Sequence, residues 1–146
     1  MKITNRKAFF DYEIFERFEA GINLIGSEVK AIKEGHADLS GSFVRIIGSE
    51  AYLVNAKIFL YEYSRLDDYD PRRTRKLLLH KNEIIALKSK ADGSNLSIVP
   101  LSFYTSHSLI KLELALGKGK KVYEKRQRIK KKDELRELEI ELRGKI

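Results

Sequence analysis

From Phe10 to Leu24 the even positions read Phe10, Tyr12, Ile14, Glu16, Phe18, Ala20, Ile22 and Leu24, while the odd ones include Asp11, Glu13, Arg17, Glu19 and Asn23. Successive side chains of a strand point to opposite faces, so this period of two predicts a long, half-buried strand or a strand pair. Phe15 and Glu16 break the phase together, which predicts a bend or bulge there. A second clean alternation sets Ile110, Leu112, Leu114 and Leu116 against Lys111 and Glu113. With Leu96 to Tyr104 it forms a hairpin candidate around Thr105-Ser106-His107-Ser108. Pro100 has no N–H to give to a ladder, so the first of these two strands is expected at an edge or bulged.

Between these stretches the pattern changes twice to helical spacing. Val29 and Ile32 place a short helix over Gly26 to Gly35, with Ser27 as its cap and Gly35 as its stop. Ile84, Leu87 and Ala91 share one face of a second helix covering Glu83 to Lys90 and ending at Gly93. Phe43 to Ile47 and Ala51 to Asn55 flank Gly48-Ser49-Glu50, a three-residue hairpin signal. Ser64 to Pro71 is polar and reads as a loop, with Asp70-Pro71 starting a turn. Strands this short and numerous avoid open edges best by closing. The expectation is a mostly β, OB-like closed antiparallel barrel of about six strands with short helices, over residues 1–119.

Residues 120–146 differ in kind and form the expected second part, a basic C-terminal tail that is disordered or helical. The excess behind the formal charge of +8 is packed into residues 117–132, where the first part passes into the tail. Residues 1–116 hold 17 Lys/Arg against 15 Asp/Glu, residues 117–132 hold nine against one, and residues 133–146 hold three against five. Like charge at that density repels itself unless something neutralises it, so the segment reads as a polyanion-binding arm. The plainer reading is a solvated tail with no partner. Leu135, Leu138 and Leu142 fall at i, i+3 and i+7, and Glu139/Arg143 and Glu141/Lys145 pair at i, i+4. Short isolated helices are marginal in water, so this stretch is expected to become helical on a polyanionic surface.

Candidate chemistry is sparse. The chain has no cysteine, which removes disulfides, thiolate nucleophiles and cysteine-held zinc. His36, His80 and His107 lie in unrelated segments without a carboxylate or histidine at ligand spacing. His80 reads better as a cap or packing residue and His107 as a loop tip. No metal or cofactor is expected, and no enzymatic activity. No run of about 18 apolar residues is present to span a bilayer, and Met1 to Lys7 lacks the features of a signal peptide. The expected location is cytoplasmic. Arg72-Arg73-Thr74-Arg75-Lys76 could hold phosphate through guanidinium forks or could pair with the acids at 67, 68 and 70. Gly117-Lys118-Gly119-Lys120-Lys121 lets backbone approach phosphates but lacks the order of a P-loop. Glu28, in the first turn of the short helix, could complement the helix dipole or accept from a base's exocyclic amine.

Several motifs occur together and in order: Asn5-Arg6-Lys7-Ala8, Tyr12-Glu13-Ile14, Phe18-Glu19-Ala20-Gly21-Ile22, Gly26-Ser27-Glu28-Val29-Lys30, Asp70-Pro71, Arg73-Thr74-Arg75-Lys76-Leu77-Leu78-Leu79-His80, and Gly117-Lys118-Gly119-Lys120-Lys121. Over nearly the whole chain this resembles the small protein B (SmpB) family of bacterial SsrA-binding proteins. The resemblance implies an OB-like barrel that binds the tRNA-like domain of transfer-messenger RNA (tmRNA) and helps deliver it to ribosomes stalled without a stop codon. It implies RNA contacts at Glu28, Lys30, Ser42, Arg45 and Asn55, with Lys118, Lys120 and Lys121 near phosphates; Arg75 and Lys76 of the basic cluster join the candidate set. It further implies that the tail enters the decoding centre and the empty mRNA channel of the small subunit. Tyr123 would stack on a decoding-centre base, while Lys125, Arg126, Arg128, Lys130, Lys131 and Lys132 track rRNA. The expected partners are therefore tmRNA and small-subunit rRNA, with the protein a monomer in the complex.

Two positions depart from that family's pattern. Glu124 stands where the family has Asp before Lys125-Arg126, and Arg72 follows Asp70-Pro71 where relatives often carry an apolar residue. Two other readings fit parts of the sequence: a general single-strand-binding or ribosomal OB module, and an RNA-processing enzyme using His80 or His107 with Glu28.

Overall fold

The computed structural model describes residues 2–59 and 68–120. The expectations for the tail beyond Lys120, Tyr123 included, and for residues 64–67 of the 64–71 loop lie outside the described residues.

The chain runs β1 (Lys2–Thr4), α1 (Arg6–Asp11), β2 (Tyr12–Ile22), α2 (Gly26–Lys33), β3 (Ala37–Asp38), β4 (Phe43–Ile47), β5 (Glu50–Val54), β6 (Lys57–Ile58), β7 (Arg75–Leu78), α3 (Lys81–Ser94), β8 (Ser97–Ser106) and β9 (Leu109–Gly119). Seven strands form one antiparallel sheet in the order β1-β8-β9-β2-β7-β5-β4, and β3 pairs with β6 separately. The architecture is mostly β with short helices, consistent with an OB-like fold. Among the described residues the main sheet has seven strands rather than the expected six or so, because β1 and β7, three and four residues long, carry too little pattern to declare themselves. β1 covers only Ser102 to Tyr104 of β8. Further back, β8 faces β4 across a cleft of about 600 Å³ whose walls include Val44, Ile46, Ile98 and Val99.

The β2–β9 ribbon is the spine of the molecule. Its register shifts between Ile14 and Glu16, at the predicted bulge, and β8 shifts likewise between Pro100 and Ser102. Beyond the first bulge, Phe18, Ala20 and Ile22 face the main core with Leu53, Leu77, Leu87, Phe103, Leu112, Leu114 and Leu116. Before it, Tyr12 and Ile14 pack on the opposite side of the sheet, against Ala8, Val99, Leu101 and Ala115. The even residues of β2 therefore do not share one face, since an extra residue in a strand reverses the phase on either side of it.

That second cluster exists because α1 covers it. Asn5 builds the helix: its Oδ1 accepts from the Ala8 amide (3.3 Å), while its Nδ2 and backbone N–H donate to the carbonyls of Pro100 (2.9 Å) and Leu101 (2.7 Å). The alternation over 10–24 hid this helix, so the strand begins at Tyr12 rather than Phe10. In α2 the cap is Ile25 rather than Ser27, and the Glu28 carboxylate accepts from the Ile25 amide (3.1 Å). Gly35, at φ +80°, ends the turn as expected. α3 runs past Gly93 to Ser94 because Asn95 supplies the left-handed terminus (φ +54°). The β4–β5 turn has two residues, Gly48-Ser49, since Ile47 pairs with Glu50. The β8–β9 turn is His107-Ser108, both with positive φ as the twist of a tight hairpin demands.

Candidate nucleic-acid interface

Beneath the sheet lies a buried ionic cluster. Arg75 belongs to β7 and Glu28 to α2, 47 residues apart, and both side chains are 0% exposed. Arg75 donates to Glu28 Oε2 through Nε (2.8 Å) and Nη2 (2.6 Å), to the Ala56 carbonyl through Nη1 (2.6 Å), and to the Pro71 carbonyl (3.0 Å) and Tyr69 hydroxyl (2.9 Å) through Nη2. Arg73 adds a second guanidinium on the same carboxylate. The Tyr69 hydroxyl lies 2.9 Å from Glu28 Oε2 and 3.0 Å from the Ile58 carbonyl. Burial pushes the Glu28 carboxyl up, but the bonds from Arg73, the Ile25 amide and Arg75 outweigh it and hold the group below the usual carboxylate range. Burial, reinforced by the neighbouring Glu28 charge, pushes the Tyr69 phenol up to about 12. All three side-chain nitrogens of Arg75 thus bond to protein, and the cluster ties α2, β6 and the 69–75 segment to the sheet.

Alternation then decides what β7 presents outward. With Arg75 and Leu77 buried, Lys76 and Leu78 point away from the core. Leu78 is 57% exposed. Register extends this into a continuous outer face: Tyr104 opposes Lys111, Lys111 opposes Gly21 and Gly21 opposes Leu78. Lys76 opposes Tyr52, which opposes Arg45. Phe43, two residues before Arg45, lies under its guanidinium at 5.9 Å. Basic groups, exposed apolar side chains and aromatic rings so share one surface, the mixture that engages RNA backbone and unpaired bases. Acids share it too. Glu19 opposes Glu113, Lys76 pairs with Glu50 (3.3 Å), and the Tyr104 phenol is pushed up by burial and by Glu19.

Gly21 keeps this face flat. A Cβ on Gly21 would sit 3.1 Å from Leu78 Cβ. Gly21→Ala is expected to destabilise the fold by about 1–3 kcal/mol through overpacking, or to turn Leu78 aside. Urea unfolding gives the cost; a midpoint like that of the wild type would mean the neighbouring strands yield freely.

The relatives decide what this surface belongs to. The family model for SmpB protein matches residues 2–144. The chain belongs to the SmpB family. Among related proteins, the SsrA-binding protein of Sulfurihydrogenibium sp. (strain YO3AOP1) is 50% identical over 143 residues, covering 98% of this chain and 94% of that one. The SsrA-binding protein of Mycobacterium leprae (strain Br4923) is 47% identical over 139 residues, covering 95% and 87%. A solved chain described under "tmRNA-SmpB: a journey to the center of the bacterial ribosome" superposes with a TM-score of 0.70 at 45% identity, over 83% of this chain and 85% of that one.

Against this SmpB framework the residues singled out from sequence separate into groups. Arg45 and Lys76 meet on the outer face through Tyr52. Ser42 and Asn55 meet at the mouth of the β4–β5 hairpin: Ser42 Oγ donates to the Leu39 carbonyl (2.5 Å), and Asn55, at φ +64°, donates to the Gly41 carbonyl (3.2 Å) and accepts from Arg72 (3.1 Å). Lys30 is exposed on α2, and Lys118 is exposed at the end of β9. The Lys120 amide donates to the Asp11 carbonyl (2.8 Å), which holds the last described residue against the end of α1. Glu28 and Arg75, which the resemblance and the basic cluster offered as RNA-binding groups, are both interior, each the other's counter-ion. Sequence reasoning passed over Leu78, Tyr52, Phe43 and Lys111. The signal for Leu78 was present in Leu77-Leu78-Leu79, where a short strand must expose alternate residues. Lys121, Tyr123, Lys125, Arg126, Arg128, Lys130, Lys131 and Lys132 lie outside the described residues.

Proposed function

We infer that this chain is a tmRNA-binding protein of trans-translation, a non-catalytic adaptor that delivers tmRNA to stalled ribosomes. Membership of the SmpB family along almost the entire chain carries the reading, and the outer face gives it a physical basis. Strands β7, β5 and β4 present Lys76, Leu78, Tyr52, Arg45 and Phe43 to the tRNA-like domain. Ser42, Asn55 and Lys30 extend the contact, with Lys118, Lys120 and Lys121 near phosphates. Glu28 and Arg75 act beneath that surface, holding the 69–75 segment against α2 so that Lys76 and Leu78 face outward. The sheet functions as an OB-like barrel closed between β4 and β8. The basic stretch after Lys120 enters the decoding centre and mRNA channel. There Tyr123 stacks on a base and Lys125, Arg126, Arg128, Lys130, Lys131 and Lys132 follow the rRNA backbone. A charge-dense segment and a mixed apolar-basic face are suited to different RNAs, which supports this division.

The test is affinity for the tRNA-like domain against an unstructured RNA of equal length across a salt series. Charge alone gives similar affinities that fall by roughly 0.7 log units per log salt for each phosphate contact on a single strand. A large preference for the tRNA-like domain that persists at high salt is expected. Equal binding of the two RNAs at every salt would instead identify a general single-strand-binding OB module.

A further inference from the structure

Arg17 stands on the outer face of β2, opposite the small buried Ala115. Its Nη1 bonds Glu113 Oε1 at 3.0 Å, and its guanidinium carbon lies 5.6 Å from the centre of the Phe9 ring. α1 brings Phe9 there, since Ala8 packs onto the same Ala115. The guanidinium is therefore held from two directions, by a carboxylate on β9 and by an aromatic ring on α1. Even so the Arg17 side chain remains 56% exposed, and Phe9 is 38% exposed.

We propose that the Phe9–Arg17 pair is a stacking platform for one unpaired RNA base. A guanidinium is planar and weakly hydrated, and stacks on π faces on either side. Glu113 removes the rotational freedom that a lone surface arginine would lose on binding, so less entropy opposes the stack. The platform continues the outer face described above, since Glu19 lies two residues from Arg17 on the same side of β2 and opposes Glu113. Arg6 and Lys7, both exposed on α1, supply positive charge for the phosphates flanking that base. A stacking contact is indifferent to base identity and insensitive to salt, unlike a lysine on a phosphate. The proposal rests on the RNA-binding reading for its ligand.

The discriminating variant is Arg17→Lys in the full-length chain, which keeps the charge and the partner Glu113 but removes the plane. Phe9→Leu, which keeps apolar bulk, is its companion. Both surface changes are expected to leave the thermal midpoint within a few degrees of the wild type. Two readouts are used: affinity for the tRNA-like domain of tmRNA, and fluorescence of a linear RNA with 2-aminopurine at unpaired positions, which dims when the base stacks. Arg17→Lys is expected to weaken binding of the tRNA-like domain about five- to a hundredfold with an unchanged salt slope, and to leave the 2-aminopurine bright. Wild-type affinity and quenching in Arg17→Lys would overturn the platform and make Arg17 a simple point charge. A wild type that does not distinguish the two RNAs would defeat the tmRNA reading, while 2-aminopurine quenching would still decide the platform.

Discussion

Glu28→Gln is expected to destabilise the protein by about 3–5 kcal/mol, the cost of leaving a buried arginine without its counter-ion. Arg75 has no exposed surface through which water could take over the role of the carboxylate. Arg73, at the rim of the cluster, can turn outward; Arg75 cannot. The same pair predicts the acid limb of the stability curve. The folded Glu28 carboxyl titrates below its ordinary value of 4.5, so its contribution is fully present above that pH and disappears as the pH falls through the lower folded value. The difference between wild type and Glu28→Gln should therefore be constant near neutrality and shrink below pH 4.5. Urea unfolding at a series of pH values measures both effects. A neutral-pH loss under 1 kcal/mol would mean that water or a rearranged backbone satisfies Arg75. RNA binding should fall with the folded fraction, since Lys76 and Leu78 depend on the strand that this pair anchors.

The second large effect is a separation of functions. Truncation after Lys120 retains the Lys120–Asp11 backbone bond that finishes the ribbon, but removes residues 121–132, where seven Lys/Arg face one acid. Affinity for the tRNA-like domain should survive largely intact, while tagging on stalled ribosomes is abolished. Filter binding and an in-vitro tagging assay read the two activities on the same preparation. Parallel loss of both would place the tRNA-like domain's contacts in the tail and end the division of labour.

What the sequence made legible was what period and punctuation encode locally. The β2 and β9 strands, the bulge at Phe15, the two hairpins and both longer helices follow from alternation, helical spacing and turn residues. What stayed hidden depends on partners far away in the chain. Arg75 looks like a surface arginine in a basic run, and only the fold brings Glu28 to it from 47 residues away. β1 and β7 are too short for a pattern, and α1 was masked because Phe10 and Tyr12 satisfy the alternation although a helix ends between them. The candidate interface suffered in the same way. A basic side chain can be recognised in a sequence, but whether it faces water depends on the phase of its strand, and in β7 that phase selects Lys76 over Arg75.

The bulge in β2 bears on how this chain can change length over time. One supernumerary residue lets a single ribbon serve two apolar layers on opposite sides, Tyr12 and Ile14 on one and Phe18, Ala20 and Ile22 on the other. Loss of Phe15 alone would remove the bulge and leave Ile14 and Glu16 adjacent on their present partners, Gly117 and Leu116, with both halves still on their own faces. A single-residue deletion within Arg17–Ile22 has no such relief: it turns the residues on one side of it to the wrong face, so deletions there should be purged. Insertions at the Gly48-Ser49 turn, which reverse no phase, should be tolerated. Drift in length is thereby steered to the bulge and the hairpin tips and kept out of the paired stretches between them.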